Sequence, residues 1–193
     1  WNHPIRGRVS PAEFVPIAES TGLIKAIGDW VIREACRTAA TWPEHLTIAV
    51  NLSAPQFDKD RIVDVVTSSL AETGLLPGRL ELEITESLLI ERPDDVLATL
   101  MRLKELGVSI AMDDFGTGYS SLSYLLKFPF DKIKIDKSFI SAIDHDKAAC
   151  DVLRTIGSLG KTLGIRITAE GVETEEQVTF LRAIACDQLQ GYF

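Results

Sequence analysis

Cysteine and histidine are scarce, three of each in 193 residues. Cys36, Cys150 and Cys186 are odd in number, widely spaced and without a Cys-x-x-Cys pair. This excludes the disulfide framework of a small secreted domain and points to buried, reduced thiols in a cytoplasmic compartment. His3, His45 and His145 match no inner position of the patterns described below, so they are expected at the surface and no zinc site is expected. No apolar run approaches the ~20 residues of a membrane span. No charged, apolar, small-residue leader is read at the start, so no export is expected. Basic residues are outnumbered, 20 Lys and Arg against 28 Asp and Glu, leaving a net charge of −8. The chain therefore lacks the basic stripe that long nucleic acid requires, although metal ions at a mouth could still reverse the local sign for a small anion.

The 46% hydrophobic content suits one globular domain with a substantial core, and no linker or low-complexity tract divides residues 1–193. Its most informative stretch is Asp113-Asp114-Phe115-Gly116-Thr117-Gly118, after the apolar run Val108-Ser109-Ile110-Ala111-Met112. Two adjacent carboxylates at the end of a buried strand repel each other unless cations neutralise them. Alone, the hexamer could be an acidic turn, and its two glycines fall short of a phosphate-binding fingerprint.

The construction recurs. Aliphatic segments around Ile48–Asn51, Leu80–Glu86, Val108–Asp113, Lys132–Asp136 and Ile165–Glu170 each deliver polar groups at the C-terminal end. Alternate strand residues face opposite ways. In each segment the aliphatic pair (Ile48/Val50, Leu82/Ile84, Ile110/Met112, Ile133/Ile135, Ile165/Ile167) shares one face. Asn51, Glu83, Asp113, Lys134 and Glu170 fall on the other. Helical stripes alternate with these segments: 62–70, 96–106 and 149–163 end at Gly74, Gly107 and Gly164. Further helices are predicted over 11–20, starting at Ser10-Pro11, over 23–42, and from Thr174 to about Ile184. Trp1 to Pro11, with Pro4 and Gly7, reads as a loop.

Strands alternating with helices predict a parallel sheet. In a closed barrel the aliphatic faces meet the outer helices, and the polar set points inward at the C-terminal mouth. About six strands are counted, where an eight-stranded barrel takes roughly 250 residues, so a barrel incomplete at both ends is expected. An open six-stranded sheet would leave long unprotected edges.

The ordered motifs Asn51-Leu-Ser, Glu83-Ile-Thr-Glu-Ser, Asp113-Asp-Phe-Gly-Thr-Gly-Tyr-Ser-Ser, Lys134-Ile-Asp-Lys-Ser-Phe, Ala169-Glu-Gly-Val-Glu and Gln190-Gly-Tyr-Phe closely resemble the EAL family. The resemblance runs over the whole chain. It implies a modified (β/α)8 TIM-like barrel, seen here without its first strands and last segment, and a bacterial phosphodiesterase that linearises cyclic di-GMP to pGpG. The Glu-Ala-Leu that names the family, whose Glu is a metal ligand, is expected a few residues before Trp1. A two-metal mechanism with Mg²⁺ or Mn²⁺ is implied. Asn51, Glu83, Asp113 and Asp114 would be the ligands. Lys134 would orient the attacking water or steady the phosphate, and Glu170 would be general base or hold a second-metal water. Asp136, Glu173 and Gln190 match positions that contact guanine or complete the pocket. Phe115, Gly116, Thr117 and Gly118 match a loop that couples the metal site to a homodimer interface, and Glu86 matches its anchor. Additional signalling domains are implied as partners. Relatives that bind cyclic di-GMP without hydrolysing it form the alternative reading.

Overall fold

The computed structural model describes residues 1–58, 60–91, 93–116 and 122–193. A hairpin of β1 (Asn2–His3) and β2 (Gly7–Arg8) opens the chain, followed by helices α1 (Pro11–Ser20) and α2 (Ile24–Ala40). Six units then follow around one sheet: β3 (Ile48–Leu52), α3 (Arg61–Thr73), β4 (Leu80–Thr85), α4 (Glu86–Glu91), α5 (Pro93–Glu105), β5 (Ser109–Phe115) and α6 (Leu122–Lys127) come first. β6 (Lys132–Ile135), α7 (Lys137–Ser141), α8 (Lys147–Leu163), β7 (Arg166–Val172), α9 (Glu175–Ala183) and β8 (Gln188–Gly191) complete it.

The sheet runs β3-β4-β5-β6-β7-β8 with every neighbouring pair parallel, so each crossover returns the chain beside the strand it left. The parity read from the sequence holds. Leu82, Ile84, Ile110, Met112, Ile133, Ile135 and Ile167 are at most 1% exposed and join Leu100, Leu103, Leu153 and Leu181 of the helices in one core cluster. Each such side chain, fully buried, contributes about 1.5–3 kcal/mol. The opposite face carries the charged residues, and it is concave. Glu83 on β4 and Glu170 on β7 stand three strand spacings apart, roughly 14 Å in a flat sheet, yet both carboxylates touch the Nζ of Lys134 on β6. The architecture is a partial TIM-like α/β barrel, with β3 and β8 as the end strands of the sheet.

Local chemistry sets the element boundaries. Ser10 accepts from the Ala12 N–H ahead of Pro11, and Thr174 and Gln177 form a reciprocal capping box. Gly74 and Gly164 close α3 and α8 in the left-handed conformation, as their positions in the sequence predict. At the base of the sheet, Asp131 exchanges two hydrogen bonds with Ile110: its N–H donates to Ile110 O and its carboxylate accepts from Ile110 N. Asp187 repeats this on Ile167. These paired bonds fix where β6 and β8 enter, and with them the register of the mouth.

The first ten residues differ from expectation. Pro4 and Gly7 sit in and beside the turn of a real hairpin, whose stem continues as the Trp1 amine donates to Val9 O and Val9 N–H to Trp1 O. The His3 imidazole takes the Ile5 and Arg6 N–H groups rather than lying idle at the surface, while His45 and His145 are exposed. Cys36 is buried, which pushes its thiol up to about 11, and Cys150 and Cys186 are half-buried, all three unbridged. Among the described residues no helix is long and apolar enough to cross a membrane.

Candidate active site

The strand ends converge on one ammonium group. Lys134 Nζ lies 2.7 Å from Glu170 Oε1, 2.8 Å from Glu83 Oε2 and 3.0 Å from Asp113 Oδ1. A lysine ammonium has three protons, and three strands each supply it a carboxylate. Burial alone would lower its pKa. The hydrogen bonds to Glu170, Glu83 and Asp113 outweigh burial and push its pKa above the ordinary lysine value. Lys134 is therefore a fixed positive charge. Glu83 shows the reverse balance: burial raises its pKa, only partly opposed by Lys134.

Asp113 and Asp114 cannot both face inward on a regular strand. The β5–β6 ladder slips between Met112 and Phe115, and Asp114 takes φ +54°. This bulge turns Asp114 back toward the mouth, where carboxylate oxygens of Asp113, Asp114 and Glu170 all lie within 4.8 Å of one another. Burial, then repulsion from Asp113, Asp136 and Glu170, raises the pKa of Asp114. Left-handed backbone on a non-glycine residue and crowded like charges are both unfavourable, so this end of β5 is poised to accept a cation. The donor set is all oxygen, which fits Mg²⁺ or Mn²⁺ rather than a softer metal.

The remaining predicted residues surround this cluster unequally. Asn51 is exposed on β3, in register with Glu83. Gln190 on β8 is in register with Glu170. Asp136 caps α7, its Oδ1 accepting from Ser138 N–H, and despite partial burial those hydrogen bonds hold its pKa below the ordinary value. Glu173 is exposed between β7 and α9, and its N–H donates to Gln177 Oε1. Glu86 is buried at the first turn of α4. Phe115 is buried at the end of β5, and Gly116 rests against the Phe139 ring of α7. Thr117 and Gly118 lie outside the described residues.

Two inward groups escaped the sequence reading. Glu81 and Lys132 pair at 2.7 Å one layer below Glu83 and Lys134. Glu81-x-Glu83 and Lys132-x-Lys134 put both pairs on the same strand faces, so parity alone could have found them.

The chain is 55% identical over 192 residues to an uncharacterized signaling protein of Caulobacter vibrioides, covering 100% of this chain and 24% of that protein. It is 46% identical over 196 residues to the bifunctional diguanylate cyclase/cyclic di-GMP phosphodiesterase MucR of Pseudomonas aeruginosa, with 100% and 29% covered. Cyclic di-GMP phosphodiesterase NbdA of the same organism is 41% identical over 196 residues, with 100% and 25% covered. The chain thus spans about a quarter of the length of these curated relatives. A solved structure of the MucR phosphodiesterase in complex with c-di-GMP superposes with a TM-score of 0.93 at 46% identity, over 99% of this chain and 79% of that one. The EAL domain pattern itself matches residues 1–193 from end to end. With the parallel partial barrel and its acidic mouth, that match makes this chain a member of the EAL domain family.

Proposed function

We propose that the chain is the phosphodiesterase module of a multidomain bacterial signalling protein and hydrolyses one phosphodiester bond of cyclic di-GMP to give linear pGpG. The observation that carries this reading is the mouth itself: four carboxylates from three strands gathered around one permanently charged lysine. A phosphodiester anion resists attack because it repels nucleophiles, and four carboxylates against one ammonium leave the mouth negative, so turnover there calls for added cations. Asp113 and Asp114 would hold them together with Glu83 and Asn51. When bound, two Mg²⁺ or Mn²⁺ ions neutralise the phosphodiester and make a nucleophile available at neutral pH.

The chain's own residues do the positioning. Lys134 keeps its proton, so it serves as a donor that orients the attacking water or a phosphate oxygen rather than as an acid. Glu170, one-fifth exposed at the side chain and hydrogen-bonded to Lys134, stands open to the mouth as the acceptor for the water's proton. A new P–O bond forms, the bond from phosphorus to the 3′-oxygen breaks, and the 3′-oxygen is protonated by solvent, leaving the 5′-phosphate of pGpG. Asp136, Glu173 and Gln190 rim the mouth as contacts for the guanine bases. Phe115, Gly116, Thr117 and Gly118, with Glu86 as their anchor, would couple the acidic cluster to a homodimer partner, as the family pattern implies.

One observation favours a second reading. The Lys134 ammonium sits between Glu83 and Asp113, two of the proposed ligands, and so partly performs the neutralising role of a metal. That arrangement also suits a receptor that binds cyclic di-GMP without turnover. Incubating the full-length protein with cyclic di-GMP and Mg²⁺, with an EDTA control, separates the two. Metal-dependent pGpG is expected. Asp113→Asn should cost more than the roughly 10–100-fold that follows loss of a mere partner of a metal ligand. Saturable binding with no product would select the receptor.

A further inference from the structure

Lys132 and Glu81 lie outside the acidic mouth, but their geometry ties them to it. β4 and β6 are not neighbours, since β5 runs between them. Two lysines nevertheless cross β5 to reach β4, Lys134 to Glu83 at 2.8 Å and Lys132 to Glu81 at 2.7 Å. The two ion pairs form parallel rungs, each joining residues 51 apart in sequence. β5 leaves room for them because its inward residues at this level are Ser109 and Ala111. Ser109 is in register with Glu81, and Ala111 with both Glu83 and Lys132. Both members of the lower rung are buried, Glu81 at 7% and Lys132 at 8% exposure.

The lower rung matters because of what lies above it. The ladder between β5 and β6 is regular at Ala111–Lys132 and Met112–Ile133, then slips at the Asp113–Asp114 bulge and resumes only at Phe115–Ile135. Lys134 sits in that interruption, so its height is unpaired on the β5 side and set by backbone register only on the other, where it faces Thr168 of β7. The rung below is the last charged tie between β4 and β6 beneath the slip. A buried, hydrogen-bonded pair of good geometry is a stiff spacer, since neither polar end can leave its partner without being left buried and unsatisfied.

We propose that the Glu81–Lys132 pair is a positioning device for the phosphodiesterase site, setting the height of the Lys134 ammonium among Glu83, Asp113 and Glu170. The proposal rests on the catalytic reading above. Its operative property is the length of the rung, not its charge. Catalytic geometry is steep in distance, a 1 Å misplacement costing about a hundredfold, so a shift of a fraction of that in Lys134 is measurable.

The test separates length from charge in the full-length protein. Glu81→Gln keeps the length and the hydrogen bond to Lys132 but removes the negative charge. Glu81→Asp keeps the charge and shortens the rung by one methylene. Each folded variant is assayed for kcat and KM on cyclic di-GMP with Mg²⁺, and for Mn²⁺ affinity by calorimetry without substrate. Glu81→Asp is expected to lose on the order of tenfold in kcat with KM little changed, and to bind Mn²⁺ more weakly, whereas Glu81→Gln stays near wild type in both. A Glu81→Asp protein with wild-type kcat and Mn²⁺ affinity overturns the proposal, and so does Glu81→Gln falling as far as Glu81→Asp. If wild type binds Mn²⁺ but makes no pGpG, the catalytic reading fails while the Mn²⁺ affinities still decide the rung. If it neither hydrolyses nor binds Mn²⁺, both fail.

Discussion

Lys134 and Asp136 are two residues apart, and the structure gives them opposite problems. Lys134 is desolvated but held charged by three carboxylates, and Asp136 is held charged by the N–H groups at the start of α7. For Asp136 the consequence is testable through pH. Its folded-state pKa lies below the ordinary value of 3.8, so its stabilisation is fully present above that value and is lost as pH falls through the folded-state pKa. Asp136→Ala should cost about 1 kcal/mol at pH 7, the usual loss for an N-cap. Urea melts of the two proteins should then draw together as pH falls under 3.8 and converge only below the still lower folded-state pKa. A gap that is unchanged in acid would mean the carboxylate does not act as a cap. At this scale the shared face of Glu83, Asp113, Lys134 and Glu170 was legible, because a two-residue period needs no tertiary information. It did not reveal why Asp114 joins them. Parity sends Asp114 to the opposite face, and only the bulge and its positive φ bring it back.

The element that carries most of the functional geometry is β5, and its end is fastened to α7 through Gly116. That residue has φ +98°, and a Cβ on it would meet Phe139 Cε2 at 2.6 Å. Gly116→Ala should therefore lose about 1–2 kcal/mol from backbone conformation alone, with further loss from the contact. Adding Phe139→Ala should relieve only the contact part of the Gly116 penalty, because the positive φ remains. The check is a double-mutant cycle by chemical denaturation. Gly116→Ala as stable as wild type would show that β5 does not need this close approach. Helices with caps were legible: Ser10-Pro11 before α1, the Thr174–Gln177 box, and the glycines that close α3 and α8. The short helices α4, α6 and α7 were not, since five or six residues show little more than one helical period. The opening hairpin was missed because its defining bonds run from Trp1 to Val9, a pairing that Pro4 and Gly7 do not announce.

Across the whole molecule, the net charge of −8 is unevenly placed. At the outer rim acids are matched by bases, as in Arg61–Asp29, Arg102–Asp60 and Lys127–Asp94. At the mouth Lys134 faces Glu83, Asp113 and Glu170, with Asp114 beside them. The fold thus crowds unmatched acids where the C-terminal ends of its parallel strands come together. The barrel class was legible because every strand repeats the same inward and outward alternation. The curl that brings β4 and β7 onto one ammonium was not, since curvature resides in no single segment. A group that binds this mouth and not the unfolded chain must stabilise the whole fold by mass action, by about 2.7 kcal/mol at a hundredfold excess over its Kd. Millimolar MgCl₂ should therefore raise the Tm, and EDTA should reverse the rise. NaCl at the same ionic strength should not reproduce it, because screening acts weakly on buried charges. In Asp113→Asn the Mg²⁺ response should disappear, whatever the basal Tm becomes once both the repulsion of Asp114 and the ion pair with Lys134 are lost. Scanning calorimetry of the four conditions decides it: a response that NaCl matches, or that survives Asp113→Asn, would mean that Mg²⁺ acts by screening the surface and not by occupying the strand ends.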